Sequence, residues 1–92
     1  MAVTVRLPGT LRQWVDGQKA VTLDTAGSVG DTIQALCRSY PQVAERVLDG
    51  DGQPRRFVNV YVNGDDIRLL QGTDTPVRDG DELILAPAVA GG

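Results

Sequence analysis

Residues 28–41, SVGDTIQALCRSYP, have a helical period in a chain whose other regular stretches alternate as strands do. Ser28 stands three residues before Asp31, the spacing at which two side chains cap a helix N-terminus. Apolar side chains then recur at the three- and four-residue spacing of one helix face: Ile33, Leu36, Cys37 and Tyr40. Pro41 ends the pattern because proline cannot donate the backbone hydrogen bond that a continuing helix needs. This segment is predicted to be the main helix.

Two strand patterns precede this helix. Residues 3–7 alternate apolar and polar side chains, and residues 19–24, KAVTLD, repeat the alternation with Val21 and Leu23 on one face. The expected connection is a hairpin across TLRQWVDGQ, residues 10–18. Trp14 in that connection is predicted to cover one edge of the core.

A short helical turn and a loop follow the helix. Pro41 suits the first turn of a second helix, with Val43 and Val47 facing inward. Residues 49–56, DGDGQPRR, are rich in glycine, aspartate and proline, which predicts a loop.

The C-terminal part of the chain contains the remaining strands. Residues 57–62, FVNVYV, place three valines on one face, and Asn63-Gly64 is a tight-turn signal leading to a short strand. The last strand, residues 81–87, is entered through Asp79-Gly80, with Leu83 and Leu85 opposite Ile84. The inward valines are Val58, Val60 and Val62, and the outward residues are Asn59 and Tyr61.

This order of elements predicts a two-layer α+β fold. One long helix crossing one face of a sheet buries the inward residues of all the strands. The ubiquitin-like β-grasp has this order and size, with a mixed sheet. The expected domain spans residues 1–87, and residues 88–92 are expected to form a flexible tail ending in Gly-Gly.

Composition and charge exclude several functional classes. The 92 residues, 41% apolar and 23% charged, predict a single folded domain. A net charge of −3 argues against nucleic-acid and anionic-membrane surfaces, and the absence of histidine excludes Ser-His-Asp, Cys-His and His-ligand metal schemes within the chain. No apolar run is long enough to span a membrane and no signal-peptide pattern is found, so a cytoplasmic protein is expected.

Three candidate sites have simpler interpretations. Asp49 and Asp51 occupy the first and third positions of a calcium loop, but Pro54 and Val60 stand where glycine and glutamate are required. Cys37 lies on the apolar helix stripe, which favours a core residue over a nucleophile. The acidic pairs 65–66 and 81–82 are interpreted as solvated turn residues. No metal site is expected.

The last residues, APAVAGG (86–92), carry a different kind of chemistry. A frayed end is the simplest interpretation of two glycines. A chain's terminal carboxylate, however, is an acyl group that can extend away from the fold, and glycines let a narrow enzyme channel enclose the backbone. If adenylated, it can be attacked by a sulfur nucleophile or by a partner cysteine.

The whole chain resembles the bacterial ubiquitin-like sulfur carriers, the group that includes the thiamine-pathway carrier and the small subunit of molybdopterin synthase. The strand DGDELILAP followed by PAVAGG has the general signature of this family. Within the family, RRFVNVYVNGDDIR and the length are most similar to the actinobacterial carriers for cysteine biosynthesis.

The resemblance implies a role without catalytic side chains. A ubiquitin-activating-like adenylyltransferase-sulfurtransferase would use ATP to activate Gly92 and install sulfur there. A pyridoxal-phosphate synthase would accept the sulfur, and a metallopeptidase would later release cysteine. Val89, Ala90, Gly91 and Gly92 would thread into these partners. The chain itself would bind no cofactor and would be monomeric when free.

A docking surface is also predicted on the sheet face away from the helix. Asn59, Tyr61 and Ile84 lie on that face, and Pro87 leads toward the tail. Two alternatives to a sulfur carrier stay open: a ubiquitin-like modifier conjugated to lysines, and a permanent small subunit of a molybdopterin synthase.

Overall fold

The predicted main helix is present in a computed structural model of the chain, which describes residues 2–25 and 27–87. It spans Val29–Ser39, and its N-terminus carries the predicted capping box. The Asp31 amide donates to Ser28 Oγ at 3.2 Å, and the Ser28 amide donates to Asp31 Oδ2 at 3.1 Å. Two of the first amides of the segment are thereby satisfied by side chains, which fixes where the helix begins.

Two shorter helices flank the main one. The segment predicted as a plain hairpin connection contains the helix Gly9–Arg12, followed by a 3-10 turn at Gln13–Val15. Leu11 and Val15 are both buried, and their four-residue spacing explains the helical geometry. The predicted second helical turn is the helix Pro41–Val47, with Val43 and Val47 buried as expected. We name these helices α1 (Gly9–Arg12), α2 (Val29–Ser39) and α3 (Pro41–Val47).

Seven strands form two sheets among the described residues. They are β1 (Ala2–Arg6), β2 (Ala20–Asp24), β3 (Gly27–Ser28), β4 (Val58–Val62), β5 (Asp65–Asp66), β6 (Pro76–Val77) and β7 (Glu82–Pro87). The main sheet has the order β2-β1-β7-β4-β5. β1 and β7 pair in parallel at its centre, and its other pairs are antiparallel, so the sheet is mixed as expected. The small β3–β6 sheet was not predicted.

The faces of the main sheet follow the predicted alternation. The inward residues of its four longer strands are buried beneath the helices: Val3, Val5, Val21, Leu23, Val60, Val62, Leu83 and Leu85. Ile33 and Leu36 of α2 complete this core at 1% exposure or less. Trp14 is partly buried against the same cluster, which confirms that it covers a core edge.

A network of hydrogen bonds joins the two turns at one end of the sheet. Asn63 and Gly64 both have positive φ, 49° and 94°, as the predicted hairpin turn between β4 and β5 requires. The Asn63 side-chain amide donates to Asp81 Oδ1 at 3.0 Å, and its carbonyl oxygen accepts from the Glu82 amide at 3.0 Å. The Arg78 amide donates to Asp81 Oδ2 at 2.8 Å. Asp81 thus links the turn after β4 to the turn before β7.

This network is expected to make the stability of the protein depend on pH. The hydrogen bonds from Asn63 and from the Arg78 amide lower the pKa of Asp81 from its ordinary value. A depressed folded-state pKa contributes stability that is present above the unfolded pKa and lost as pH falls through the folded one. We therefore expect the urea concentration at the unfolding midpoint to decrease once the pH drops below about 4.

The matched variant for this prediction is Asp81→Asn, which keeps the shape and removes the titrating group. Its deficit relative to the parent protein should be largest near neutral pH and should shrink as the pH falls through the lowered pKa of Asp81. Asp51→Asn, in the exposed loop, controls for general loss of negative charge. A pH-independent deficit for Asp81→Asn would contradict the assignment.

Candidate functional site

The face of the main sheet away from the helices brings three of the predicted docking residues together. Tyr61 of β4 lies directly opposite Ile84 of β7, and Asn59 lies opposite Ala86. All four side chains are partly exposed. Strand alternation points them to one side because their neighbours Val60 and Leu85 point into the core. We name the four residues Asn59, Tyr61, Ile84 and Ala86 the open-face patch.

Ion pairs border this patch on both sides. Arg6 Nε lies 2.8 Å from Glu82 Oε2 on the β1 side. On the β5 side, Arg68 Nη2 lies 2.8 Å from Asp66 Oδ2 and also donates to Asn59 Oδ1 at 2.9 Å. The Arg68 hydrogen bonds lower the pKa of Asp66, so this carboxylate stays charged at neutral pH. An apolar centre with a polar rim is the usual anatomy of a protein-protein contact.

Pro87 lies on a different surface. It pairs with Val58, so strand alternation puts it on the helix side of the sheet, whereas Ala86 is on the open face. There it lines a cleft of about 390 Å³ whose walls are largely apolar. Its lining also includes Trp14, Arg46, Phe57, Leu85 and Ala86. We name this opening the tail-base cleft, because Pro87 is the last described residue before the tail.

Arg46, near the C-terminal end of α3, lines this cleft, and Arg55 contacts the same end of the helix. The Arg46 guanidinium carbon lies 3.8 Å from the centre of the Trp14 ring, a cation-π contact. Arg46 Nη1 donates to the Gln42 carbonyl at 2.9 Å, and Arg55 Nη2 donates to the Glu45 carbonyl at 3.1 Å. Cations are favoured at this end of a helix because the final carbonyls carry partial negative charge. The arginines are therefore held in place by the helix.

The acidic residues and the cysteine for which the sequence predicted no metal-binding or catalytic function have structural roles. Asp49 Oδ1 accepts hydrogen bonds from the Asp51 and Gln53 amides, as in an aspartate-stabilised turn. Asp81 also lies at a turn, whereas Asp65 and Asp66 form β5 and Glu82 begins β7, so the turn interpretation is wrong for these three. Cys37 is a buried core residue as predicted, and burial raises the pKa of its thiol, which disfavours the reactive thiolate.

The predicted tail residues Val89, Ala90, Gly91 and Gly92 lie outside the described residues. Within residues 2–25 and 27–87, no helix is long and apolar enough to cross a membrane. In the same part of the chain, no three histidine, cysteine or acidic side chains are grouped as a metal site would need.

A family model of the ThiS family matches residues 5–92, which is nearly the whole chain and includes its last residue. The chain belongs to the ThiS family. The match starts within β1 and therefore includes the open-face patch, the tail-base cleft and the predicted tail.

Curated relatives of this ThiS-family chain agree with the match. The sulfur carrier protein CysO of Mycobacterium tuberculosis is 43% identical over 96 residues, and the alignment covers 100% of both chains. The small archaeal modifier protein 3 of Haloferax volcanii is 36% identical, again with 100% of both chains covered. The chain is thus a small ubiquitin-like protein of the sulfur-carrier type.

A solved structure supports the fold assignment. A chain in the crystal structure of the Amycolatopsis orientalis BexX/CysO complex is similar to this ThiS-family chain with a TM-score of 0.85 and 38% identity, covering 98% of this chain and 99% of that one. The predicted ubiquitin-like β-grasp is confirmed by this similarity and by the mixed sheet with α2 packed on one face.

Sequence reasoning missed the tail-base cleft. Phe57 is the single phenylalanine of the chain and is 57% exposed, yet the sequence offered no reason to place it beside Trp14. A usable signal was that the single tryptophan and the single phenylalanine both stand in or next to segments predicted to be loops, where large aromatic side chains have little local reason to occur.

Proposed function

We propose that this ThiS-family protein carries sulfur as a thiocarboxylate on Gly92. The observation that supports this most is the full-length similarity to a sulfur carrier, in an alignment that includes the diglycine end. The absence of histidine from the sequence and the high pKa of the buried Cys37 thiol fit a protein whose own side chains perform no catalysis. The protein would then be a co-substrate of partner enzymes and not an enzyme.

The loading chemistry follows from the poor reactivity of a carboxylate. In an adenylyltransferase-sulfurtransferase of the ubiquitin-activating type, a Gly92 carboxylate oxygen attacks the α-phosphorus of ATP and pyrophosphate leaves. A sulfur nucleophile then attacks the acyl carbon of this mixed anhydride, and AMP leaves with one of the original carboxylate oxygens. The net change in the carrier is one oxygen replaced by sulfur.

The open-face patch is the first candidate for docking these partners. The Tyr61–Ile84 pair provides an aromatic and aliphatic centre, and the Arg6–Glu82 and Arg68–Asp66 pairs provide a rim that stays charged at neutral pH. Because β7 runs directly into the tail, a partner that receives Gly92 has to approach this end of the sheet. The patch would help align the tail with the partner's active site.

The sulfur acceptor is proposed at the level of a class. Similarity to a carrier named CysO favours cysteine biosynthesis, with a pyridoxal-phosphate synthase as acceptor and a metallopeptidase that releases the product. The similarity to a chain of the BexX/CysO complex favours a second use, in which a different enzyme docks the same carrier. ATP, pyridoxal phosphate and metal would all belong to the partners.

A protein modifier is the second candidate function. Its support is the 36% identity to a small archaeal modifier protein. A modifier and a carrier share the adenylation step and differ in the nucleophile that follows: a lysine amine in one case and sulfur in the other.

Intact mass spectrometry separates the two functions. The protein would be incubated with ATP, sulfide and the purified activating enzyme from the same organism. A sulfur carrier should gain about 16 Da, the difference between sulfur and oxygen at the attacked carbon. Isopeptide-linked adducts on other proteins without this species would favour the modifier. An unchanged mass with an enzyme that adenylates another ThiS-family carrier would contradict both.

A further inference from the structure

The tail-base cleft is an apolar opening in the described surface that the fold does not explain. It measures about 390 Å³, within the range of pockets that bind a drug-sized group. Phe57 stands on its wall 57% exposed, although Leu85 beside it is 1% exposed. Contact of water with an exposed aromatic side chain and an open apolar cavity is unfavourable in free energy. Folding of the chain alone does not remove this contact.

Arg46 is the one charged residue among those that line the cleft. Its guanidinium lies over the Trp14 ring on one wall. The ion pair between Arg46 Nη1 and Glu45 Oε2 is long, 3.7 Å, and the Glu45 side chain is 78% exposed. This contact neutralises Arg46 only weakly in water. A cation at the edge of the cleft, on a chain of net charge −3, complements a carboxylate on a partner.

The position of the cleft indicates what kind of partner would fill it. Pro87 both lines the cleft and immediately precedes the tail. Any enzyme that encloses Gly92 therefore places its own surface next to this opening. Ala86 of the open-face patch also lines the cleft, so the two surfaces meet at the end of β7 and one partner can contact both.

We propose that the tail-base cleft is a second docking site, which receives an aromatic or large aliphatic side chain flanked by a carboxylate from the enzyme that takes up the tail. The apolar side chain packs between Trp14 and Phe57, and the carboxylate pairs with Arg46. This proposal rests on the proposed carrier function and adds a contact that the open-face patch does not supply.

A peptide titration tests the cleft independently of the carrier function. The ¹⁵N-labelled protein would be titrated with acetyl-Asp-Phe-Asp-amide while NMR shifts and the fluorescence of Trp14, the single tryptophan, are followed. Saturable millimolar binding with shifts at Trp14, Arg46 and Phe57 is expected, about the affinity of one anchor side chain. Acetyl-Asp-Ala-Asp-amide and acetyl-Lys-Phe-Lys-amide should bind at least several-fold more weakly. No shifts at the cleft, or equal shifts with all three peptides, would overturn the proposal.

The kinetics of sulfur loading test the cleft in the enzyme reaction, with Phe57→Ala as the variant and Leu69→Ala as the matched control. Leu69→Ala removes a side chain that is 84% exposed and lies outside the cleft lining. In sulfur loading by the activating enzyme, Phe57→Ala should raise the KM for the carrier about tenfold, the effect of one lost anchor, with little change in kcat. Leu69→Ala should leave both unchanged, and Arg46→Gln should raise the KM in the same direction as Phe57→Ala.

The outcomes of these experiments distinguish the carrier proposal from the cleft proposal. They also distinguish a partner side chain in the cleft from the protein's own tail or a second copy of the chain. If the parent protein is loaded normally and Phe57→Ala has the parent KM, the cleft proposal fails and the carrier function stands. If the parent protein is not loaded, the carrier function fails and the peptide titration still reports on the cleft. Shifts at Trp14 and Phe57 on deletion of residues 88–92 would assign the cleft to the protein's own tail. A dimer abolished by Phe57→Ala would assign it to a second copy.

Discussion

Deletion of Gly91 and Gly92 should abolish sulfur loading while leaving the fold unchanged. The deletion moves the terminal carboxylate back by about 7 Å, two residues of extended chain. Because a misplacement of about 1 Å can already cost 10²-fold in an enzyme, the mass gain of the loaded carrier should be undetectable. The new terminus at Ala90 also carries a Cβ that a channel shaped for glycine has no room for.

The control for this prediction is the stability of the truncated protein. All the described buried apolar residues lie between Val3 and Leu85, so the urea midpoint should match that of the full chain. Gly92→Ala keeps the length and adds one Cβ, and it separates the effect of reach from the effect of size. Sulfur loading of the truncated chain at the parent rate would show that Gly92 is not the reactive residue.

Leu83→Ala should produce the largest loss of stability of any substitution considered for this protein. Leu83 is 0% exposed and stands on β7, between β1 and β4 at the centre of the sheet. Truncation of a buried leucine costs about 3–5 kcal/mol through lost transfer free energy and the cavity left behind. That is a large part of the roughly 5–15 kcal/mol by which such domains are stable.

Ile84→Ala is the matched comparison on the next residue of the same strand. Ile84 points to the open face and is partly exposed, so its truncation should cost less than half as much free energy of unfolding. Urea unfolding followed by Trp14 fluorescence measures both variants. Equal losses would mean that the open face is covered in solution. Under the proposed function, Ile84→Ala should also raise the KM of sulfur loading.

The two proposed docking surfaces differ in the charges that surround their apolar residues. The open-face patch has charged pairs that neutralise each other, Arg6 with Glu82 and Arg68 with Asp66. The tail-base cleft has a largely apolar interior and one arginine, Arg46, at its edge. Under these proposals, the first surface would provide shape and a balanced rim, and the second would select partners by the charge of Arg46 and by one anchor side chain. Variants on each surface would reveal whether the enzyme that loads sulfur and the enzyme that accepts it depend on the same one.

Local patterns predicted much of the fold. The Ser28–Asp31 capping box, the burial of Ile33 and Leu36, and the Asn63-Gly64 turn are interactions within a few residues of chain, so the sequence contains both partners side by side. Strand alternation likewise predicted the open-face positions of Asn59, Tyr61 and Ile84. The helical geometry of 9–15 was missed because Leu11 and Val15 make only one helical spacing, too short a pattern to distinguish from a loop.

Pro87 shows the limit of predicting a site from sequence. It was grouped with the open-face residues because it follows them toward the tail, but the register β4–β7 pairs it with Val58 and turns it to the helix side. One residue along a strand decides between opposite faces of a sheet. The placement of Pro87 in the tail-base cleft was therefore visible only in the structure.

The sequence by itself determined the α+β class, the inward and outward face of each longer strand, and the diglycine end that the ThiS-family match includes. These depend on residue types and on spacing along the chain. Only the tertiary structure decided that β1 and β7 pair in parallel at the centre of the sheet, and that Trp14, Arg46, Phe57 and Pro87 meet around one cleft. The four come from separate segments of the chain, and their contact depends on strand register and helix packing, which no local pattern specifies.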